Sequence, residues 1–129
     1  MKEGSAMELY RPISGEEYRA IEERGFQGFP KRTEGQQILT VLLSQDGAME
    51  IARRLRVEKQ KDNKVYVVSF LVEDSYIRQF PVQYREKPEY SALWIPAEET
   101  EILNQHIIGK IRLVTSYMID REDCDVFFA

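Results

Sequence analysis

The sequence predicts an α+β domain in which a mixed, mostly antiparallel sheet packs against about three helices. The predicted element order, β-α-β-α-β-β-β-α-β, lacks the strict alternation of a parallel, doubly wound sheet. Residues 64–73 alternate with mostly apolar side chains in both rows, which is typical of a central strand covered on both faces. Hydrophobic residues make up 43% of the 129 residues, enough for the core of a single domain.

The first predicted elements are a short strand and a capped helix. Residues 8–11 alternate polar and apolar side chains, and Pro12 is expected to end the strand. Ser14 and Glu17 have the spacing of a capping box, which predicts a helix over 15–24.

A buried strand and a second helix are predicted next. Residues 38–43 form a nearly continuous apolar run, which is typical of a buried strand. Ser44 can cap a helix over 45–55, whose apolar stripe includes Ala48 and Ala52. Both elements are therefore expected to contribute to the core.

After the central strand, two short strands, a third helix and a long strand are predicted. A short strand that carries Pro81 is expected at an edge of the sheet, and another covers 92–95. Pro96 opens a helix that is expected to end at Gly109. Residues 111–119 alternate as a final strand.

The sequence contains no linker and no internal repeat, so a single α+β domain is predicted over residues 8–119. Residues 1–7 are interpreted as a flexible N-terminus. Residues 120–129 are interpreted as an acidic and aromatic C-terminal tail.

Composition excludes several classes of function. The net charge of −4 and the pI of about 5.1 argue against a protein that binds duplex nucleic acid through phosphates. The same charge weakens a single-stranded nucleic-acid hypothesis based on the basic stretch 53–64 and Tyr66. With Cys124 and His106 as the sole cysteine and histidine, neither an internal disulfide nor a multi-thiolate metal site is expected.

No apolar run approaches the roughly 18 residues that a membrane span needs. The N-terminus also lacks the apolar stretch of a signal peptide. We therefore expect a cytoplasmic protein without a membrane partner.

A few side chains could carry chemistry. Trp94 is expected in the core, and His106 is expected to complement the C-terminal end of a helix dipole. Arg11 ends the first predicted strand, and Phe29-Pro30-Lys31-Arg32 places two cations beside an aromatic ring. Arginine suits bidentate phosphate recognition, so for these two segments a functional and a structural interpretation both stay open.

The chain resembles small bacterial domains described as ADP-ribosylation/crystallin-like, which belong to the wider ADP-ribosyltransferase-like fold. The resemblance implies a split pair of small sheets with a cleft for NAD. Together the matching segments cover most of residues 8–119. They are LYRPISGEEYRAIEERGFQGFPKR, ILTVLL, the helix ending in EIARRL, VYVVSFLVEDSYIRQFPVQ and LWIPAEETEILNQHIIGKIRLV.

The resemblance also implies roles for particular residues. In that superfamily a basic residue on the first strand, often after an aromatic, holds NAD, and Tyr10-Arg11 matches this position. A later aromatic stacks on the nicotinamide, for which Phe26 and Phe29 are candidates. Arg11 is the candidate for holding the diphosphate, and Lys31 and Arg32 are further candidate NAD-binding residues.

The superfamily's ribose-binding glutamate is expected at or next to Ala92, where this chain has alanine. Glu89 and Glu98 are the candidate catalytic carboxylates nearby in the sequence. Two functions therefore follow from the resemblance. The first is a domain that binds NAD or an ADP-ribose-containing ligand, with NAD as a substrate and not as a resident cofactor. The second is a non-catalytic module on the same fold that binds a protein or a nucleotide.

Overall fold

The structure is a computed structural model that describes residues 5–31, 37–54, 64–84 and 87–118. These residues form six strands, four α-helices and two 3-10 turns, which confirms the α+β class. The strands are β1 (Ala6–Ser14), β2 (Ile38–Leu42), β3 (Lys64–Glu73), β4 (Val82–Gln83), β5 (Ala92–Pro96) and β6 (Ile107–Met118). The helices are α1 (Gly15–Glu23), α2 (Gln45–Arg54), α3 (Asp74–Ile77) and α4 (Thr100–Gln105), and the 3-10 turns are Pro88–Tyr90 and Ala97–Glu99.

The six strands form one sheet in the order β4-β5-β2-β1-β3-β6. Every neighbouring pair is antiparallel, as the predominantly antiparallel prediction requires. β1 pairs with β3 along its whole length but with β2 only at Tyr10 and Leu42. The sheet is therefore continuous, yet its two three-stranded halves meet at one residue pair and separate beyond it.

β1 is longer than the alternating pattern predicts. It begins at Ala6 and continues through Pro12 to Ser14, pairing with β3 throughout. Proline lacks the N–H that a ladder needs, so within a sheet it is tolerated where one side of the strand is unpaired. Pro12 lies beyond the Tyr10–Leu42 pair, where β1 has lost its β2 partner, and this explains why the strand does not stop there.

The two faces of the sheet pack against separate hydrophobic cores, as the two apolar rows of β3 predict. Val65 and Val67 face the smaller core beneath α2, whereas Phe70 and Val72 face the larger core. The larger core also receives side chains from α1, α3 and α4. Complete burial of a side chain such as Phe70 contributes about 1.5–3 kcal/mol.

The third predicted helix ends earlier than expected. α4 stops at Gln105, and β6 begins at Ile107, which had the pattern of a buried helical position. Ile107 and Ile108 instead pair with the end of β3, where β-branched side chains pack well. Gly109, the predicted helix stop, lies within β6 at φ 75°. The short helix Asp74–Ile77 is a fourth helix where the sequence predicted a turn.

Candidate functional site

Arg11, the predicted phosphate-binding residue, lies in a buried junction between β1, α1 and β2, and is only 8% exposed. Its Nε and Nη2 donate to the two carboxylate oxygens of Glu17, each at 3.1 Å. Its Nη1 donates to the carbonyl oxygen of Thr40 at 2.9 Å. We call these three residues the Arg11 junction. It connects β1 to β2 where their backbone ladder has stopped.

The first turn of α1 positions Glu17 in this junction. The Ser14 hydroxyl accepts a hydrogen bond from the Glu17 N–H at 3.1 Å, so the predicted N-cap is confirmed. This cap fixes the first turn of α1 directly after β1, and the Glu17 side chain then reaches back to Arg11. The pairing is bidentate, the geometry in which a guanidinium and a carboxylate bind most strongly.

Tyr10, the other half of the predicted NAD-binding pair, lies on the opposite face of the sheet. Successive residues of a strand alternate between faces, so Arg11 shares the larger core with Leu9 and Ile13, whereas Tyr10 packs against the smaller core. Burial raises the pKa of the Tyr10 hydroxyl, and the negative charge of Glu8 raises it further. Tyr10 and Arg11 therefore do not line a common hollow.

Phe29, a predicted nicotinamide-stacking residue, is completely buried. Its ring meets Phe70 edge-on, with ring centroids 4.9 Å apart. Asn104 holds its backbone from both sides, accepting from the Phe29 N–H at 2.8 Å and donating to the Phe29 carbonyl at 3.0 Å. Phe26, the other aromatic candidate, is partly buried and packs edge-on against Tyr18. Phe29 is thus a core residue, and the Asn104 side chain holds its backbone through two hydrogen bonds.

Glu89, one of the two candidate carboxylates, lines a cavity of about 290 Å³ between α2 and the Pro88–Tyr90 turn. Arg53 and Lys87 supply positive charge to its wall, although Arg53 also contacts Glu50 at 2.7 Å. We call this hollow the α2 cavity, which is lined by Asp46, Met49, Glu50, Arg53, Lys87, Glu89 and Tyr90.

Gly47 lies where α2 comes closest to the backbone of Glu89, beside the α2 cavity. A Cβ atom at this position would overlap the backbone carbonyl of Glu89. Only glycine therefore allows α2 to approach the Pro88–Tyr90 turn this closely.

The remaining predicted site residues lie elsewhere. Glu98 is exposed in the Ala97–Glu99 turn, and Lys31 is exposed after Phe29. Arg32 lies outside the described residues. The fold therefore does not gather Tyr10, Arg11 and Phe29 around a shared cleft.

The sequence interpretation missed an apolar strip on the sheet face that α2 partly covers. Trp94, expected in the core, is 44% exposed, and Ile38 is 46% exposed. Cross-strand pairing places Thr40 opposite Trp94 and Ile38 opposite Pro96. The next pair, Leu42 and Ala92, is buried beneath α2. We call Ile38, Thr40, Trp94 and Pro96 the Trp94 strip.

A signal for this strip was present in the sequence. Leu93 and Ile95 form one row of β5, and Trp94 lies on the other row between a small residue and a proline. The prediction that Trp94 is buried failed because the alternation of side chains does not show how far α2 extends over that row.

A second polar cluster joins α3, α4 and the end of β3. The Tyr76 hydroxyl donates to Glu99 at 2.8 Å, and burial together with this bond raises the pKa of Tyr76 strongly. The His106 ring stacks on Tyr76 with centroids 4.3 Å apart, and its Nδ1 lies 2.6 Å from Glu73. These contacts connect α3 and the two ends of α4 to the end of β3.

Comparison with known proteins identifies no relative. No protein-family model matches the chain, and no curated protein or solved structure matches it either.

The described side chains include no group of three or more His, Cys, Asp or Glu residues that could hold a metal ion. Within the same residues, no helix combines the length and the apolar character needed to cross a membrane.

Proposed function

We propose that this domain is a non-catalytic binding module whose ligand is another protein. The observation that carries the proposal is the Arg11 junction. A guanidinium that is bound by a carboxylate and a carbonyl, and nearly excluded from solvent, would have to leave both partners to hold a diphosphate. Removing one partner of a buried ion pair typically costs about 3–5 kcal/mol.

The Trp94 strip supplies the binding surface. An exposed tryptophan on a sheet face offers a large apolar area, and tryptophan is enriched among residues that dominate binding energy. Ile38 and Pro96 extend the surface around Trp94, and both are exposed. Exposed apolar side chains that lie on neighbouring strands of one sheet face are a candidate protein-interaction site.

The charge beside the strip indicates the chemistry of the partner. Glu98 is exposed two residues beyond Pro96, and the whole chain carries a net charge of −4. We therefore propose a partner segment that combines apolar side chains with arginine. A guanidinium of the partner can stack on the Trp94 ring, and its positive charge is attracted by Glu98. A cytoplasmic location belongs to this proposal, since Cys124 is the sole cysteine and no internal disulfide can form.

The test compares matched surface variants. Trp94→Ser and Ile38→Ser should each weaken binding of a protein captured by the wild type by about tenfold or more, measured by calorimetry with both components purified. Ile102→Ser is the control, because Ile102 is similarly exposed, at 41%, but lies on α4 away from the strip. Loss of binding in all three variants, or in none, would contradict the assignment of the Trp94 strip.

A nucleotide such as NAD or ADP-ribose is the second candidate ligand. The α2 cavity favours it, because Glu89, Lys87 and Tyr90 offer a carboxylate, a cation and an aromatic side chain in one hollow. The Arg54 guanidinium lies over the Tyr90 ring, 5.7 Å from its centroid. If transfer chemistry occurs, we propose Glu89 as the carboxylate that stabilises positive charge on the ribose as nicotinamide leaves. Asp46 and Glu50 also line this cavity.

Thermal unfolding with NAD, ADP-ribose and nicotinamide tests this second candidate. A ligand at a hundred times its dissociation constant should stabilise the domain by about 2.7 kcal/mol. The shift should disappear in Lys87→Ala and persist in Glu98→Gln, because Glu98 does not line the cavity. Absence of any shift in the wild type would remove the nucleotide hypothesis.

A further inference from the structure

The acidic and aromatic segment 119–129 lies outside the described residues, and its composition is unusual for this chain. Its sequence is IDREDCDVFFA, in which four acidic residues precede three adjacent apolar residues, Val126, Phe127 and Phe128. Arg121 is its one cation, so the segment carries a net charge of −3. Adjacent apolar side chains of this size gain free energy when another surface removes them from water.

The segment begins beside α2, next to two cations. It follows directly on β6, whose last residue, Met118, pairs with Lys64. The residue before it, Tyr117, packs against the smaller core, and the Arg53 guanidinium lies over its ring, 6.0 Å from the centroid. The first acidic residues of the segment therefore follow a strand end that has positive charge on either side.

The last turn of α2 carries more positive than negative charge. Arg53 and Arg54 both pair with Glu50, at 2.7 and 3.2 Å, so one carboxylate serves two guanidinium groups. Both guanidinium groups are more than half exposed. Lys64 forms no ion pair with another described residue. This region therefore attracts an acidic segment.

The Trp94 strip and the end of β6 share one face of the sheet. Leu42 and Ala92 continue the row of the strip and belong to the smaller core, against which Tyr117 also packs. α2 packs on this core and contacts β2, β1, β3 and β6. The strip and Tyr117 thus lie on the same face, with the helix between them.

The register also places the strip and the end of β6 toward the same end of the sheet. Ile38 and Ser14 are each four residues from the single pair that joins β2 to β1, and on the same side of it. Through β3, Ser14 lies within one residue of the level of Met118. A chain that leaves β6 at Met118 therefore starts at the level of the outer part of the strip.

The 119–129 segment is long enough to cross from β6 to the strip. β6 and β5 are four strand positions apart, about 19 Å at about 4.8 Å per strand, and the separation of the two halves of the sheet adds to this. Phe127 is nine residues beyond Met118, which an extended chain spans in about 30 Å. The apolar end of the segment can therefore reach Trp94 while its acidic residues pass the last turn of α2.

We propose that Val126, Phe127 and Phe128 cover the Trp94 strip of the same chain, while the acidic residues before them lie along the last turn of α2. This inference rests on the proposed function, since it describes how the proposed binding surface is regulated. Glu98 repels the acidic residues of the segment and attracts the arginine of the partner, which favours exchange of one for the other. A second copy of the chain is a poorer occupant, because connection within one chain raises the effective concentration of the segment.

The test uses the fluorescence of Trp94, which is the sole tryptophan of the chain. Phe127→Ser combined with Phe128→Ser, in the full chain without a partner, should increase acrylamide quenching of Trp94 by about twofold or more, as expected when a mostly closed state opens. Ile102→Ser is the control and should leave quenching unchanged, because Ile102 is exposed on α4 away from the strip.

A second pair of variants tests the charges. Arg53→Glu combined with Lys64→Glu should also increase quenching, because the last turn of α2 would then repel the acidic residues of the segment. Lys31→Glu combined with Lys110→Glu makes the same change in net charge at exposed positions elsewhere and should leave quenching unchanged. These variants keep both phenylalanines, so they test the proposal independently of the first variant.

Three results would overturn the proposal. Trp94 could be quenched equally in the wild type and in the phenylalanine variant, which would show that the segment does not cover the strip. Quenching in the wild type could fall as the protein is concentrated, which would identify a second copy as the occupant. The two charge variants could also have equal effects. None of these results bears on binding of a partner to the strip, which Trp94→Ser tests separately by calorimetry.

Discussion

The Arg11 junction and the Trp94 strip use neighbouring backbone on opposite faces of one sheet. Thr40 belongs to both, because its carbonyl oxygen accepts from Arg11 while its position opposite Trp94 places it in the strip. In the junction a charged side chain is 8% exposed and makes hydrogen bonds to Glu17 and Thr40, whereas in the strip a tryptophan is 44% exposed. Residue type alone therefore does not assign a role, because here the arginine is bound within the fold and the tryptophan is available for contact.

The largest expected effect tests the junction. Arg11→Ala leaves the Glu17 carboxylate without the guanidinium and should lower the free energy of unfolding by about 3 kcal/mol, measured by urea denaturation. The double variant Arg11→Met with Glu17→Leu removes both charges and should lose less than Arg11→Ala. A change below about 0.5 kcal/mol in Arg11→Ala, the usual range for surface positions, would mean that the guanidinium is not structural and would restore it as a ligand-binding candidate.

A somewhat smaller effect is expected at Gly47, which packs α2 beside the strip. Gly47→Ala forces a methyl group into the Glu89 carbonyl and should destabilise the domain by about 2 kcal/mol, despite the higher helix propensity of alanine. Gln45→Ala, an exposed position of the same helix, is the control and should change stability by less than about 0.5 kcal/mol. Equal effects in the two variants would show that α2 can move away from the turn without cost.

Tyr76 extends the comparison to a second buried polar group. Tyr76→Phe removes the hydroxyl that donates to Glu99 and should cost about 1 kcal/mol at neutral pH. Because the folded state raises the pKa of Tyr76 above its ordinary value of 10.0, the unfolded chain loses this proton first. The stabilisation is therefore complete below about pH 10 and is lost as the pH rises further.

Urea denaturation at several pH values checks this prediction. The wild type should lose stability more steeply than Tyr76→Phe above about pH 10. Some slope should remain in the variant, because burial also raises the pKa of Tyr10 and Tyr18. Identical slopes in the two proteins would mean that the Tyr76 hydroxyl titrates normally.

The smallest expected effect on stability belongs to the strip itself. Trp94→Ser should change the free energy of unfolding by less than about 1 kcal/mol, as for other partly exposed positions. Leu93→Ala, one residue away on the buried face, should cost about 3 kcal/mol because it leaves a cavity in the larger core. Circular dichroism and urea denaturation of both variants would measure this contrast. A large loss in Trp94→Ser would assign the indole to the fold.

Much of the fold follows from local pattern. The bounds of β3 agree with the predicted 64–73, and α1 and α2 begin at the predicted positions behind Ser14 and Ser44. These features depend on alternation and on caps, which involve residues close in sequence. The passage of β1 through Pro12 and the early end of α4 were not predictable, since both depend on pairing with β3.

The predicted site depended on contacts that are distant in sequence. Whether Arg11 faces a ligand or a partner depends on Thr40, which is 29 residues away. Whether Phe29 is free to stack depends on Asn104, which is 75 residues away. No local pattern encodes either contact, so the sequence could name candidate side chains and could not say which of them the fold itself uses.

The sequence by itself determined most of the secondary elements, the apolar rows that bury them and the net negative charge. Tertiary structure alone decided that Arg11 bridges two halves of the sheet and that α2 does not cover Trp94. The physical reason is that burial and hydrogen-bond partnership are properties of packed pairs, and those pairs form only when elements far apart in the chain come together.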